Sequence, residues 1–496
     1  MSNSCRMLCI LLTVMFFFSH IASVHAAGDV NIKGTVKLFS SVYTKDSEDD
    51  AYQPHKGGDY ALNRGELHVG LNGYVSDNVS FRSMVYFIYD ARPDFDDLQQ
   101  LETDSGYSSL AHEQDTYIKE ASFTLIDLFT EGLDLRVGRQ RVRWGTSDEY
   151  NVVDNLNPVD YRNLFSYDPD YLVEHLNMDG FNLEYLFPFD FDLKLQAAYF
   201  VSFKPSTLPQ GFNEQSLSMQ QSKLDELTDP YGFPSGDVGM VLRDVPDYRV
   251  AKGPAGIRLS SVIFNFDCGL SYYRGYQSLP MLYRIETDIT LESTTMTTYH
   301  DYPRLDVVGF DLAGEICSVG IWAEFAAYFP EKKDVVQITN LLSSSSVESF
   351  PLLEDAYYKY TVGFDYTFGI GNGIYWNAQF NHGYYDEFDY DTQAKDELGV
   401  GEAGFMGRME DYYVTFVEYS FLNDELTTTL NFMLEVNNYE DLSRNTAWVL
   451  KPQVEYKPFD NTSLEIGYIV ISGGELTKYG GYKDNDVAYL LMKTHF

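Results

Sequence analysis

The sequence predicts an all-β fold: one transmembrane antiparallel β-barrel of about 18 strands, with short periplasmic turns at one end and long extracellular loops at the other. Three observations carry this. Strand-length segments that alternate apolar with polar residues recur at about twenty-residue spacing. The connections between them alternate between very short and long. Past residue 26 no run of eighteen apolar residues occurs, so no transmembrane helix is available. Only a closed barrel then crosses a bilayer, because in lipid every backbone N–H and C=O must be paired internally.

The last stretch, residues 486–496, shows the pattern best. Phe496, Thr494, Met492, Leu490 and Ala488 share one face without a charge, and His495, Lys493, Leu491, Tyr489 and Val487 share the other. A final strand ending on Phe resembles the C-terminal signal of bacterial outer-membrane barrels, in which the last strand pairs with the first.

Taken in order, the expected strands are 30–43, 61–75, one opening at Val79, 115–126, 133–144, 177–186, 192–203, 255–264 and 268–276. They continue with 303–316, 320–329, 355–368, 373–385, 411–422, 425–438, 445–458, 461–471 and the closing strand. The span 61–75 puts Leu67, Val69, Leu71, Gly73 and Val75 on one face and Arg64, Glu66, His68 and Asn72 on the other. Short links such as Asn423-Asp424 carry the residues of a type I′ hairpin. The loops 277–302, with its Thr run, and 330–354, with Ser343 to Ser346, read as irregular. So does 204–253, apart from a possible short helix near 215–227.

Residues 1–26 form a separate object. Arg6 supplies a positive start, residues 7–18 an apolar core too short to span a bilayer, and Val24-His25-Ala26 a cleavage site, as in a signal peptide. Residues 27–496 then form a single outer-membrane β-barrel domain. Cys5 and Cys9 leave with the signal. Cys268 and Cys317 remain, at turns of adjacent hairpins on the inner side, and are open to two readings: a disulfide, or two buried free thiols.

The chain has 496 residues, 16% of them aromatic, and a formal net charge of -39 from 35 Lys+Arg against 74 Asp+Glu. Nucleic acid is excluded as a partner, since phosphate needs a basic footprint. A solvated acidic exterior explains the charge, and selection for cations or divalent bridges to lipid headgroups is the sharper reading. Outer-membrane lipid and small solutes are the expected partners, with no cofactor and no metal.

By alternation, Arg64, Glu66, His68, Arg82, Glu184, Lys194, Glu324, Lys359, Asp365, Glu435, Lys451, Glu455, Glu465 and Lys493 face the lumen. Collectively this parity is enforced, because Lys or Arg on the lipid face costs about 2–4 kcal/mol at midplane. The densest stretch is 135–162. There Leu133, Leu135 and Val137 share a parity that Arg139, Arg141 and Arg143 continue. Either a bulge at Gly138-Arg139 turns the arginines inward, or the strand has left the membrane. The pore-constriction candidates are Arg136, Arg139, Arg141 and Arg143, facing Asp148, Glu149, Asp154, Asp160 and Arg162 of the third outer loop, 145–176. Arg-to-carboxylate pairs would hold that loop inward.

Gly138-Arg139-Gln140, Trp144-Gly145 and Asn157-Pro158-x-Asp160 together resemble the signature of an uncharacterised family of proteobacterial outer-membrane β-barrel (porin-like) proteins. More distantly, they are similar to alginate-export channels. Residues 304–309 and 321–324 fit the same strand pattern. The resemblance implies a barrel and transport, with no known substrate and no assigned residues.

An enzyme is not expected. No Gly-x-Ser-x-Gly, His-Glu-x-x-His or phosphate-binding glycine loop is present, and the acidic run 386–391 lacks the glycine and terminal Glu of a calcium loop. The expected function is a porin-like channel of the bacterial outer membrane for passive diffusion of small hydrophilic or organic solutes. The alternative is a structural or adhesive barrel whose acidic loops bind an external partner.

Overall fold

The computed structural model describes residues 30–47, 55–90, 114–147, 151–160, 174–207, 238–242, 253–331, 334–342, 344–351, 356–383, 411–437, 439, 441–474, 477 and 479–496. The expected signal segment, the possible helix near 215–227, the acidic run 386–391, and Asp148, Glu149 and Arg162 lie outside them.

The chain begins with β1 (Val30–Tyr43), β2 (Tyr60–Ser76), β3 (Val79–Asp90), β4 (Gln114–Leu125) and β5 (Leu133–Gln140). A short pair, β6 (Val159–Asp160) and β7 (Glu174–His175), precedes β8 (Met178–Leu186) and β9 (Lys194–Phe200). Next come β10 (Val238–Leu242), β11 (Ala255–Ile263), β12 (Phe266–Tyr276), β13 (Met281–Ile289), β14 (Thr294–Asp301), β15 (Arg304–Ile316) and β16 (Val319–Pro330). After β17 (Asp334–Leu341) and β18 (Ser344–Pro351) follow β19 (Tyr357–Phe368), β20 (Ile374–His382) and β21 (Asp411–Phe421). The chain ends with β22 (Leu426–Val436), β23 (Thr446–Phe459), β24 (Thr462–Gly473) and β25 (Val487–His495).

Eighteen of these strands form one sheet in which each pairs with its chain neighbour, skipping only β6, β7, β10, β13, β14, β17 and β18. The sheet closes on itself. β25 pairs antiparallel with β1, from Thr35 opposite His495 to Tyr43 opposite Val487. Beyond that register the Gly34 N–H donates to the Phe496 carbonyl at 2.8 Å, and the Phe496 N–H returns the bond to Gly34 at 3.0 Å. The terminal ring lies over Gly34, where any Cβ would fall 2.1 Å from its Cζ. Closure removes the free edges that an open sheet would expose to lipid.

Alternation sorts the faces. On β19, Tyr358 and Val362 are exposed at 50% and 53%, whereas Lys359 and Thr361 between and beside them are 1% and 0% exposed. The outward row elsewhere is equally apolar, with Phe87, Phe123, Leu183, Leu259, Phe310 and Phe325 exposed. The turns Phe264-Asn265 and Cys317-Ser318 hold φ values of 52° and 64° at both central residues, the primed geometry that matches strand twist.

Three expected loops are partly strand, and the first, 204–253, contains β10. β13 and β14 lie within 277–302, and β17 and β18 within 330–354. With β10 they form a second sheet in the order β10-β14-β13-β17-β18. Its buried residues are mixed: Thr294, Met296, Thr298 and His300 on β14 are buried, and Met281, Leu282, Ile285, Met296 and Val335 join the main buried apolar cluster. The apolar residues that bury this sheet are interspersed with Thr, Ser and charged residues, so the segments gave no clean alternating strand signal.

Candidate functional site: an in-folded segment and the inner wall

Past Gln140 the chain leaves the wall and crosses the inner face. Trp144, Ser147, Leu156 and Asn157 are all at most 1% exposed. The Trp144 indole N–H donates to Gln196 Oε1 of β9 at 2.8 Å, and its ring lies over Gly256 of β11, where a Cβ would meet Cη2 at 2.4 Å. Val153 lies in the same way over Gly309 of β15. Glycines in the inward row thus make room for the segment.

The strongest anchor is a wall carboxylate. Glu324 of β16 accepts the backbone N–H groups of Thr146 and Ser147 on Oε1 at 2.7 and 2.8 Å, and that of Val152 on Oε2 at 2.8 Å. Three amides that would otherwise be orphaned meet the two oxygens of one side chain. Gly145, with φ at 87°, brings the backbone against Glu324 Oε1. The Tyr328 hydroxyl donates to the Val152 carbonyl at 2.7 Å.

Inside the segment two asparagines set the course. Asn151 accepts the N–H groups of Val153 and Asp154 on Oδ1, an Asx turn. Asn157 ties the two limbs: Oδ1 accepts the Val142 N–H at 2.9 Å, and Nδ2 donates to the Leu176 carbonyl at 2.8 Å. His175 Nδ1 donates to the Asn157 carbonyl at 2.7 Å.

The arginines divide in a way the sequence does not anticipate. Arg136 faces inward and pairs with Glu120 and Ser122 of β4. Arg139 keeps the outward parity of Val137 and forms a two-pronged pair with Asp179 of β8, both bonds 2.9 Å. No bulge interrupts the β4–β5 or β5–β8 register; the barrel strand ends one residue later. Among the described residues, Arg141, 3.3 Å from Asp154, and Arg143, donating to the Ser147 carbonyl at 2.8 Å, engage the segment. Among the described residues the one Arg-to-carboxylate pair within the segment is Arg141 with Asp154, and the carboxylate that takes most of its backbone amides, Glu324, sits on the wall. Asp160 accepts from the Thr207 hydroxyl.

The remaining inward candidates stand on the same face as the buried row. Arg64, Glu66 and His68 share β2, with Glu66 Oε2 2.8 Å from His68 Nε2, and Arg82 lies 3.9 Å from Glu120. Lys194 is 3.4 Å from Glu184, and the Lys359 ammonium stands 4.9 Å from the centre of the Tyr328 ring. Asp365 lies against Gly320; Lys451 is opposite Asn431, and Lys493 opposite Ser463 and Lys37. Glu455 faces Glu465 across β23 and β24, and Glu465 accepts the Tyr489 hydroxyl at 2.6 Å. Glu435 accepts the Tyr479 N–H at 2.9 Å, so a second segment, the short 3-10 turn Tyr479–Tyr482, also rests on an inward glutamate.

Cys268 and Cys317 are free thiols, contrary to the disulfide reading. Their hairpins are neighbours as expected, but Cys268 is opposite Leu312, whereas Cys317 lies beyond Ile316 in the turn. At about 3.3 Å of rise per residue, that register separates them well past disulfide reach.

No protein-family model and no curated protein sequence matches the chain. Among solved structures it is similar to the outer membrane protein opdK from Pseudomonas aeruginosa, with 11% identity, a TM-score of 0.45, and 94% of this chain and 98% of that one covered. It is also similar to Pseudomonas aeruginosa OccK9 (OpdG), at 10% identity and a TM-score of 0.49 over 94% and 98%. A third is Wzi of Escherichia coli, an outer-membrane carbohydrate-binding β-barrel, at 10% identity and 0.47 over 98% and 88%. Likeness at this level adds no weight to the barrel, which rests on the strand pairing itself.

Proposed function

We propose that the protein is a porin-like channel of the bacterial outer membrane that passes small hydrophilic or organic solutes by diffusion, with the segment after β5 as its constriction. A belt of outward apolar side chains on a sheet without edges suits a bilayer and little else. A barrel of about 18 strands leaves an aqueous lumen unless something fills it. The observation that carries the reading is that the stretches 144–147 and 151–157 cross the inner face and are fastened to Glu324. It narrows the lumen from one arc of the wall, and the Tyr479 turn on Glu435 does so from another. The wall between is hydrated and of mixed sign.

Purified protein in a planar bilayer should give steady ion conductance. Silent membranes at high protein load would overturn the reading. The adhesive alternative draws on one feature, the separate five-stranded sheet built by the connections between wall strands. Deleting β17 and β18 would abolish surface binding without changing conductance if adhesion is the role.

A further inference from the structure

The second sheet and the in-folded segment belong to the same arc of wall. Trp144 lies over Gly256 of β11, Val153 over Gly309 of β15, and Glu324 is on β16. The strands of the sheet come from the connections that follow β9, β12 and β16. One apolar cluster holds both. It contains Val153 and Leu156 of the segment, Ile285 and Met296 of the sheet, and Val307 and Tyr328 of the wall.

Hydrogen bonds also join the two. Asp160 of β6 makes a parallel bridge with Thr207 and accepts its hydroxyl. One residue back, the Ser206 N–H donates to the Ser278 carbonyl at 2.9 Å, just ahead of Met281, where β13 begins. Close-packed groups shift between discrete arrangements rather than deform continuously, so displacement of the sheet carries the segment with it.

His300 is the sensitive point of this body. It stands on the buried face of β14, 2% exposed, in register with Leu242 of β10 and Leu282 of β13. The charged residues nearest it in the sheet, Arg284, Glu286 and Asp288 of β13 and Asp301 of β14, alternate onto the other face. There Glu286 takes the Arg284 guanidinium and the Tyr299 hydroxyl. His300 Nδ1 has no hydrogen-bond partner among the described residues, and burial alone lowers the pKa of the ring from 6.5 to about 4. A proton there is a buried charge without an acceptor, and water reaches it only if β14 lifts away.

We propose that the second sheet and the in-folded segment form one acid-sensitive lid: protonation of His300 loosens the sheet, the sheet draws the segment off the wall, and the constriction widens. The widening rests on the channel reading; the coupling rests on the shared core and on the bonds at Asp160 and Ser278. A ring in water takes its proton near pH 6.5 and the buried ring only near 4, so acid favours the loosened state. Between about pH 7 and 4 its population should rise about a hundredfold.

Hydrogen exchange of the full-length barrel in lipid vesicles, expressed as protection factors to remove the intrinsic pH dependence, tests the coupling without recourse to conductance. Protection of β13 and β14 and of the Thr146, Ser147 and Val152 amides should fall together by about a hundredfold over that range. Wide single-channel openings should become more frequent by the same factor. His300→Gln and His300→Met should each hold these readouts flat. The double variant Asp160→Asn, Thr207→Val should leave the sheet acid-sensitive while cutting the response of the segment about tenfold. Segment amides that stay protected while the sheet opens would overturn the proposal. So would a segment response that survives both His300 variants, which would place it on His175 and Asp154 within the segment. Coupled loss of protection in a barrel that conducts nothing would keep the lid and remove the channel.

Discussion

At the scale of single residues, Glu324 decides the course of the segment between β5 and β8. Its two oxygens take three backbone N–H groups that would otherwise be buried without partners. Glu324→Gln replaces one acceptor by an amide that points donors at donors, at a cost of about 2–3 kcal/mol to the docked segment. Trp144, 1% exposed and bonded to Gln196, reports on this. Its emission, isolated as the difference from Trp144→Phe, should shift to the red and become open to acrylamide in the Glu324→Gln protein; an unchanged spectrum would mean the segment is held by other contacts. Gly138 is a second such residue. Its φ of 125° and a Cβ position 2.2 Å from the Ala121 carbonyl oxygen leave no room for a side chain. Gly138→Ala should lower barrel stability by about 1–3 kcal/mol, read as an earlier urea midpoint in lipid vesicles. Equal midpoints would show that the backbone relaxes there.

At the scale of elements, the five-stranded sheet has its own pH response. His300 of β14 is 2% exposed, and its Nδ1 has no hydrogen-bond partner among the described residues. Burial lowers its pKa from the ordinary 6.5 to about 4. A folded-state pKa below the unfolded one means the unfolded sheet binds the proton first. Stability from the neutral ring is therefore complete above pH 6.5, falls as the pH drops toward 4, and levels off below. Hydrogen exchange of β13, β14 and β17 should speed up across that window, and His300→Gln should flatten the dependence. Exchange that is flat in the wild-type protein would contradict it. This sheet also marks where sequence reading fails. The wall strands are legible because lipid on one face and water on the other impose a strict period of two. The strands of the second sheet meet neither condition, and their Thr and Ser rows look like loop.

At the scale of the whole molecule, the closed ring of wall strands was readable from parity, the alternation of turn and loop, and the terminal Phe496. The in-folded segment was readable only in part. The arginine row signalled a break near the end of β5, with a bulge and an exit from the membrane both open, but the partners were not visible. Arg139 belongs to Asp179, 40 positions away on β8, and Glu324 serves backbone amides, which carry no sequence pattern. The trace that was present is negative: Gly256 and Gly309 in inward rows of large residues, empty because Trp144 and Val153 cover them. The decisive measurement is single-channel conductance in planar bilayers of the wild-type barrel and of Glu324→Ala. A channel narrowed by the docked segment should conduct steadily, and release of that segment should raise the conductance about twofold or more, since a barrel of this strand number is wide when unobstructed. Silence from both proteins, or equal conductance from two folded barrels, would contradict it.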